Sequence, residues 1–264
     1  MTEKIAIVTG GTSGIGLCTA IALREKGCKV YTVSRRDFND PRFTHIRADV
    51  TDPAAAEEAV RKVKEAEGRI DIVVNCAGYG ISGAIEFTPA EDAKRQMDVN
   101  FFGMVNVNKP ALTVMREQGG GRIVNTSSMA AVFAIPFQAY YSASKAAINS
   151  YTCALINEVR PYNITVCAVQ PGDIKTGFTA ARKKIEDGND AYGGRIVRSV
   201  AKMEQDEQSG MDPQKAGDFI AGVALKKKVK PLYSIDFISG AECILDRILP
   251  KSLAYKIVGS MYSG

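Results

Sequence analysis

The 264-residue chain predicts an α/β fold in which a parallel sheet is covered by helices on both faces. Short apolar runs, too brief for helices, recur along it, and most are followed by a longer stretch whose apolar residues recur at helical spacing. A glycine-rich turn at residues 9–16 also lies between the first such run and the first such stretch.

Ile5-Ala6-Ile7-Val8 reads as a fully buried strand, and residues 17–26 as a helix ending at Gly27, as helices often do. Lys29-Val30-Tyr31-Thr32-Val33 is the second strand and residues 43–48 the third. Asp52-Pro53 then introduces a helix over 54–67. Residues 70–74 form the fourth strand, followed by helical material over 91–116 and a fifth strand over 121–125. A helix carrying Tyr141 and Lys145 precedes the sixth strand at 164–169, and 230–235 supplies a seventh. No linker, low-complexity run or repeat interrupts the alternation, so one domain spanning 1–264 is expected.

Composition narrows the function. The net charge is +5, but bases are scattered among acids, and Lys226-Lys227-Lys228, the one tight run, reads as a solvated helix end. No basic stripe with interleaved aromatics marks a nucleic-acid surface. The six cysteines show no CxxC spacing and read as reduced core residues. A single histidine, His45, cannot build a catalytic triad or a histidine-rich metal site, so no metal is expected. Residues 1–10 open almost directly on a strand without the apolar core of a signal peptide, and no run of eighteen apolar residues follows. A cytoplasmic location is therefore expected.

Between strand and helix, Thr9-Gly10-Gly11-Thr12-Ser13-Gly14-Ile15-Gly16 stands where clustered glycines let backbone amides approach a pyrophosphate at a helix N-terminus. Its glycines at 10, 14 and 16 differ from the GxGxxG spacing, so the generic dinucleotide fingerprint is not matched. Further on, Tyr141 and Lys145 are four residues apart and would share one helix face. An ammonium there would favour phenolate, moving a group that titrates near about 10 towards acid–base chemistry. Taken alone, the pair is equally an aromatic packed on the core beside a lysine reaching solvent.

The turn at 9–16, Asn75-Cys76-Ala77-Gly78, Asn100, Ser128, Tyr141-xxx-Lys145 and Pro171-Gly172, in that order, resemble the motifs of the short-chain dehydrogenase/reductase family over about residues 4–176. The resemblance implies a doubly wound Rossmann fold of about seven strands, a nicotinamide cofactor and hydride transfer between a ketone and a secondary alcohol. Tyr141 would be the proton donor and acceptor, Ser128 would hold the substrate oxygen, and Lys145 would lower the phenol's pKa and bind the nicotinamide ribose. Asn100 would hold a water near the lysine. Ser127 is expected to be structural, and Tyr140, one position off the register, to line the pocket or pack. A non-catalytic dinucleotide-binding redox sensor is the alternative from another class.

Cofactor contacts are expected from Gly10, Thr12, Ser13, Gly14, Ile15 and Gly16, from Asp49 and Val50 at the adenine, from Asn75, Ala77 and Gly78, from Tyr141 and Lys145, and from Pro171, Gly172, Ile174 and Thr176. The second strand ends at Ser34-Arg35-Arg36, where an NAD site commonly places an acid. Arginines there favour NADP(H), with Arg35 the leading contact and Ser34 beside it. Were the strand two residues longer, Asp37 would take the acidic position and NAD(H) would return.

Residues 177–212, polar and punctuated by glycine, read as a substrate lid. Tyr79, Phe133, Ile135, Phe137 and Tyr192 are pocket-side candidates, which favours an apolar, steroid-like or acyl-chain alcohol or ketone. In the tail, 240–264, the apolar series Ile244, Leu245, Ile248, Leu249, Leu253, Ile257 and Met261 runs beside Lys251 and Lys256. It is expected to pack on the core or a partner subunit, with membrane contact the less favoured outcome. Because the tail departs from the family, a standard tetramer is in doubt and a homodimer through the helices near Asn100 and Tyr141 is the other arrangement.

Overall fold

The computed structural model describes residues 3–262; the outermost two positions at each end of the expected 1–264 domain lie outside the described residues. In chain order the elements are β1 (Lys4–Thr9), α1 (Gly14–Glu25), β2 (Cys28–Ser34), β3 (Thr44–Arg47), α2 (Pro53–Glu67), β4 (Ile72–Asn75), β5 (Ile81–Ser82), α3 (Ala90–Met97), α4 (Gly103–Glu117), β6 (Gly121–Thr126) and α5 (Ala139–Val159). They continue with β7 (Ile164–Gln170), α6 (Phe178–Ala181), β8 (Lys183–Lys184), α7 (Arg195–Ser209), α8 (Pro213–Leu225), β9 (Leu232–Ser234), α9 (Phe237–Ile248) and α10 (Lys251–Tyr262).

Seven strands form one parallel sheet in the order β3-β2-β1-β4-β6-β7-β9, as expected. The run Ile5-Ala6-Ile7-Val8 is apolar throughout because both faces are covered. Ile5 and Ile7 join a core with residues of α2, α4 and α5, whereas Ala6 and Val8 join one with α1 and α8. The chain leaves β1 towards β2 and β3 on one side and returns to β4 on the other. Thr9 and Asn75 face each other in register at the carboxyl ends of β1 and β4, where a doubly wound sheet opens a crevice.

Local chemistry sets the helix boundaries. Asp52 Oδ1 accepts from the amides of Ala54 and Ala55 at 2.9 and 3.3 Å, capping α2, whose first residue is Pro53. The helical material expected over 91–116 is α3 and α4 joined by a π-helical turn, Asp98–Phe102. Among the described residues, buried Arg122 has no carboxylate partner. Its guanidinium donates to the carbonyls of Val223 and Lys226 at 2.9 and 2.8 Å, closing the negative end of α8.

The stretch 177–212, read as a lid, is built of short elements. It holds α6, α7 and β8, and β8 pairs in parallel with β5 beside the main sheet. Ile196, Val200 and Met203 give α7 a buried face, so packing orders a segment that glycines punctuate. In the tail Ala254 is buried, whereas Ile244, Leu245, Ile248, Leu253, Ile257 and Met261 are exposed in the single chain.

Candidate active site

The glycine turn begins where β1 stops. Gly10 and Gly14 have φ of +63° and +52°, a region costly for other residues. A Cβ at Gly16 would fall 2.3 Å from the Gly10 carbonyl oxygen, and one at Gly10 would fall 2.9 Å from the Ala77 backbone. Ser13 stands extended at the start of α1 and makes no side-chain cap bond. These residues form a cradle that admits a diphosphate against the first amides of α1, so the site fits a dinucleotide. Thr176 closes the far side, its Cβ 3.7 Å from where a Gly14 Cβ would stand. Ile174 is buried and bridges to Met211, and the Pro171 carbonyl accepts from the Met129 amide at 2.8 Å.

At the end of β2, Ser34 Oγ accepts from Thr12 Oγ1 at 3.2 Å and donates to the Arg36 carbonyl at 3.1 Å. Because β2 stops at Ser34, Asp37 lies three residues beyond it, exposed and paired with Arg47 at 3.5 Å. Arg35 and Arg36 are exposed. Burial pulls the Asp49 carboxyl up, but hydrogen bonds from Thr51 and the charges of Arg35 and Arg95 outweigh it and hold it below the usual range. The buried Val50 carbonyl accepts from Asn106 at 2.9 Å.

At the end of β4 the Asn75 side chain donates to Asn108 Oδ1 at 2.8 Å and Asn125 Oδ1 at 3.0 Å, and Asn125 donates to Thr152 at 2.9 Å. This buried amide ladder ties β4 to α4, β6 and α5.

Asn100 lies on the π-helical turn, which breaks the α4 register and turns its side chain inward. It is buried; Oδ1 accepts from the Tyr79 amide at 3.0 Å, and Nδ2 donates to the Tyr79 carbonyl and Ser144 Oγ, each at 3.1 Å. Both amide hydrogens are used, leaving one oxygen lone pair. A Cβ at Gly78 would stand 3.1 Å from Asn100 Oδ1 and 3.9 Å from Lys145 Nζ, so glycine leaves the space between them open.

Ser128 follows β6 and caps a short turn, accepting from the Ala130 amide at 3.1 Å. Its hydroxyl also acts on the Tyr141 phenol, drawing its pKa down. On α5, Lys145 lies one turn beyond Tyr141, with Nζ 5.6 Å from the ring centroid and donating to the Thr126 carbonyl at 2.8 Å. Ser127 Oγ donates to the Lys145 carbonyl at 3.0 Å, a structural bond, and Tyr140 Oη points elsewhere, to the Ile85 carbonyl at 3.4 Å. His45 bonds Thr32 at 3.0 Å and the Arg36 carbonyl at 2.9 Å, away from this cluster.

Both members of the pair are shifted by burial. Burial pushes the Tyr141 phenol up to about 12; the Ser128 hydroxyl and Arg182 pull it down, while Glu207 and Asp173 raise it. Burial drops the lysine itself to about 8, with the Cys76 thiol opposing. Spacing alone shows that the two groups are neighbours, but not that both lose water and that the Thr126 carbonyl draws the amine.

Several residues were not singled out from sequence. Phe178 on α6 packs on Tyr141 at 5.7 Å between centroids, and the Arg182 guanidinium lies 5.8 Å from the Phe178 ring. Arg182 is fully buried and pairs with Glu207 on α7, which also accepts from Thr179 at 2.6 Å. Among the expected aromatics, Phe137 and Tyr192 meet edge to face at 5.6 Å, and Tyr192 also meets Phe87 and donates to Glu86 at 2.7 Å. Ile135 and Phe133 are half-buried on the turn before α5. Tyr79 bonds the Asn100 side chain through its backbone amide and carbonyl, and burial raises its phenol. The tail flanks the site, since a Cβ at Gly172 would stand 3.2 Å from Ser239 Oγ, and Cys243 Sγ approaches Met129 Sδ to 3.7 Å. Among the described residues no cluster of three or more His, Cys, Asp or Glu could hold a metal ion.

Comparison with known proteins agrees with this geometry. Residues 4–187 match the model of the short chain dehydrogenase family. A 3-ketodihydrosphingosine reductase of Bacteroides thetaiotaomicron is 38% identical over 262 residues, covering 96% of this chain and 97% of that one. A 3α-hydroxysteroid dehydrogenase of Mediterraneibacter gnavus is 34% identical over 192 residues, 68% of this chain and 77% of its own. The crystal structure of a short-chain dehydrogenase from Streptomyces avermitilis superposes with a TM-score of 0.86 at 28% identity and covers 98% of both chains. With its glycine cradle, its Ser128, Tyr141 and Lys145 cluster and its seven-stranded parallel sheet, the chain belongs to the short-chain dehydrogenase family, oxidoreductases that act on CH–OH groups with a nicotinamide dinucleotide.

Proposed function

We propose that this protein is an NADP(H)-dependent reductase of a ketone carried on a long acyl chain, with Tyr141 as the proton donor. The observation that carries the reading is the cluster of Ser128, Tyr141 and Lys145, with Phe178 packed on the Tyr141 ring at 5.7 Å between centroids and Lys145 Nζ 5.6 Å from that ring. A phenol is protonated at neutral pH and so has a proton to give, which is the need of carbonyl reduction.

The bound cofactor would supply the hydride. As the carbonyl oxygen gains charge, Tyr141 Oη transfers its proton to it, and the Ser128 hydroxyl donates a hydrogen bond to the same oxygen. Lys145, held near 8, can exchange a proton at neutral pH and so can resupply the site through the space left by Gly78. Phe178, packed on the Tyr141 ring, covers the reacting phenol and helps exclude water. Arg35 and Arg36, exposed at the end of β2 with Asp37 paired to Arg47, support a 2′-phosphate and hence NADP(H).

An acyl chain is preferred over a steroid because the 3-ketodihydrosphingosine reductase relative aligns over nearly the whole chain, lid and tail included, whereas the steroid dehydrogenase aligns over about two thirds. NADPH and NADH oxidation should be followed with 3-ketodihydrosphingosine, shorter acyl ketones and 3-ketosteroids. Rapid NADPH turnover with the long-chain ketones, reduced by about a thousandfold or more in Tyr141→Phe with NADPH binding intact, is expected. Near-normal rates in Tyr141→Phe would overturn the proton donor. NADPH binding with no turnover across the panel would favour the sensor alternative.

A further inference from the structure

We infer that the last two helices form a surface that docks on an anionic lipid bilayer. Exposed large apolar residues are concentrated there: of twelve among the described residues, seven, Ile244, Leu245, Ile248, Leu253, Tyr255, Ile257 and Met261, lie within residues 244–261. Scattered single apolar residues on a surface need no explanation, but a run of this kind does.

Periodicity separates what α10 shows from what it buries. Ala254, Val258 and Tyr262 recur every four residues and turn towards the body of the protein: Ala254 is buried, and Tyr262 Oη donates to Asp206 on α7 at 3.4 Å. Leu253, Ile257 and Met261, one position earlier in each turn, form a parallel stripe that is 44%, 44% and 53% exposed. On α9, Ile244, Leu245 and Ile248 lie within one turn of each other and are 60%, 50% and 74% exposed. The helices are thus anchored on one side and apolar on another.

Charge selects the occupant. α10 carries Lys251 and Lys256 and no acid, so it is cationic, whereas α9 carries Glu242 and Asp246 beside Arg247 and is not. Lys256 is exposed beside Leu253 and Ile257. A cation flanking an apolar stripe suits an interface where the stripe enters the acyl layer and the ammonium stays among anionic headgroups. Lysine is by contrast depleted at the centre of protein–protein interfaces. No helix among the described residues is long and apolar enough to cross a membrane, so the tail would lie on the surface.

The test is co-sedimentation of the full chain with vesicles of phosphatidylcholine alone or with about one third phosphatidylglycerol. Binding to the anionic vesicles is expected, weaker by about fivefold in Lys256→Gln and by at least about a hundredfold in the triple variant Leu253→Ser/Ile257→Ser/Met261→Ser. Thermal unfolding should match wild type, because the substituted side chains are largely exposed. No binding to either vesicle, binding indifferent to the anionic lipid, or undiminished binding of the triple variant would overturn the inference. So would sedimentation velocity showing a wild-type dimer that the triple variant converts to monomer without any vesicle binding, since a second copy would then cover the stripe. Vesicle binding is read without substrate or cofactor, so its outcome is separate from that of the reductase assay.

Discussion

Replacing Lys145 by Met should stabilise the unliganded protein at neutral pH while abolishing its chemistry. Burial lowers the lysine from 10.5 to about 8, and that gap corresponds to about 3 kcal/mol favouring the neutral amine in the folded state. The sign follows from proton binding. Below about pH 8 the amine is charged whether folded or unfolded, and the folded state bears the whole burial cost. Between 8 and 10.5 the unfolded chain holds more protons, so wild-type stability rises with pH, and above 10.5 the cost is gone. The Met variant lacks this dependence. It also leaves the Thr126 carbonyl without its 2.8 Å donor, at a cost of about 1 kcal/mol, so the net gain near pH 7 should be about 1–2 kcal/mol. Urea unfolding of both proteins at several values from about pH 7 to 10 measures the difference, and other titrating groups cancel in it. The Met variant should lose about 2.5 kcal/mol relative to wild type across the range. A difference constant with pH would refute a desolvated lysine.

Three further outcomes follow from the geometry. Arg35→Glu should weaken NADPH binding by tenfold or more, on the order of 1.4 kcal/mol, and leave NADH nearly unchanged in calorimetric titration; equal losses for both would remove Arg35 from the 2′-phosphate. Glu207→Gln strands the buried Arg182 charge, so hydrogen exchange across residues 178–209 should speed up as that segment loses about 3–5 kcal/mol, and unaltered exchange would show that the pair does not hold it. Gly16→Ala must displace the Gly10 carbonyl, only 2.3 Å from the added carbon, and should cost about 1–3 kcal/mol in thermal unfolding together with most cofactor affinity; a neutral effect would mean that the turn is looser than described.

The sheet was legible because its signal is local. Val30 and Val33 or Val73 and Val74 carry their burial in their own apolarity, and Asp52-Pro53 announces a helix start within two residues. The Tyr141–Lys145 spacing was likewise readable. What that spacing could not convey was solvent: the phenol lies under Phe178, thirty-seven positions away in sequence, and the amine turns to a carbonyl at the end of β6. The order of 177–212 was hidden for a related reason. Gly188, Gly193 and Gly194 have positive φ and do make turns, but Ile196, Val200 and Met203 recur at helical spacing and mark α7. The interruption at Asp98–Phe102 had no readable sign, because a π-helical turn uses the same residue types as the helices it joins.

The packing of Phe178 on Tyr141 makes one residue both a cover over the phenol's ring and part of the burial that raises its pKa. A smaller side chain at 178, admitting a bulkier ketone, would also rehydrate the phenol and bring its titration back towards 10. Selectivity and proton affinity in this enzyme therefore cannot be adjusted one at a time, and a library aimed at new ketones should be screened at more than one pH.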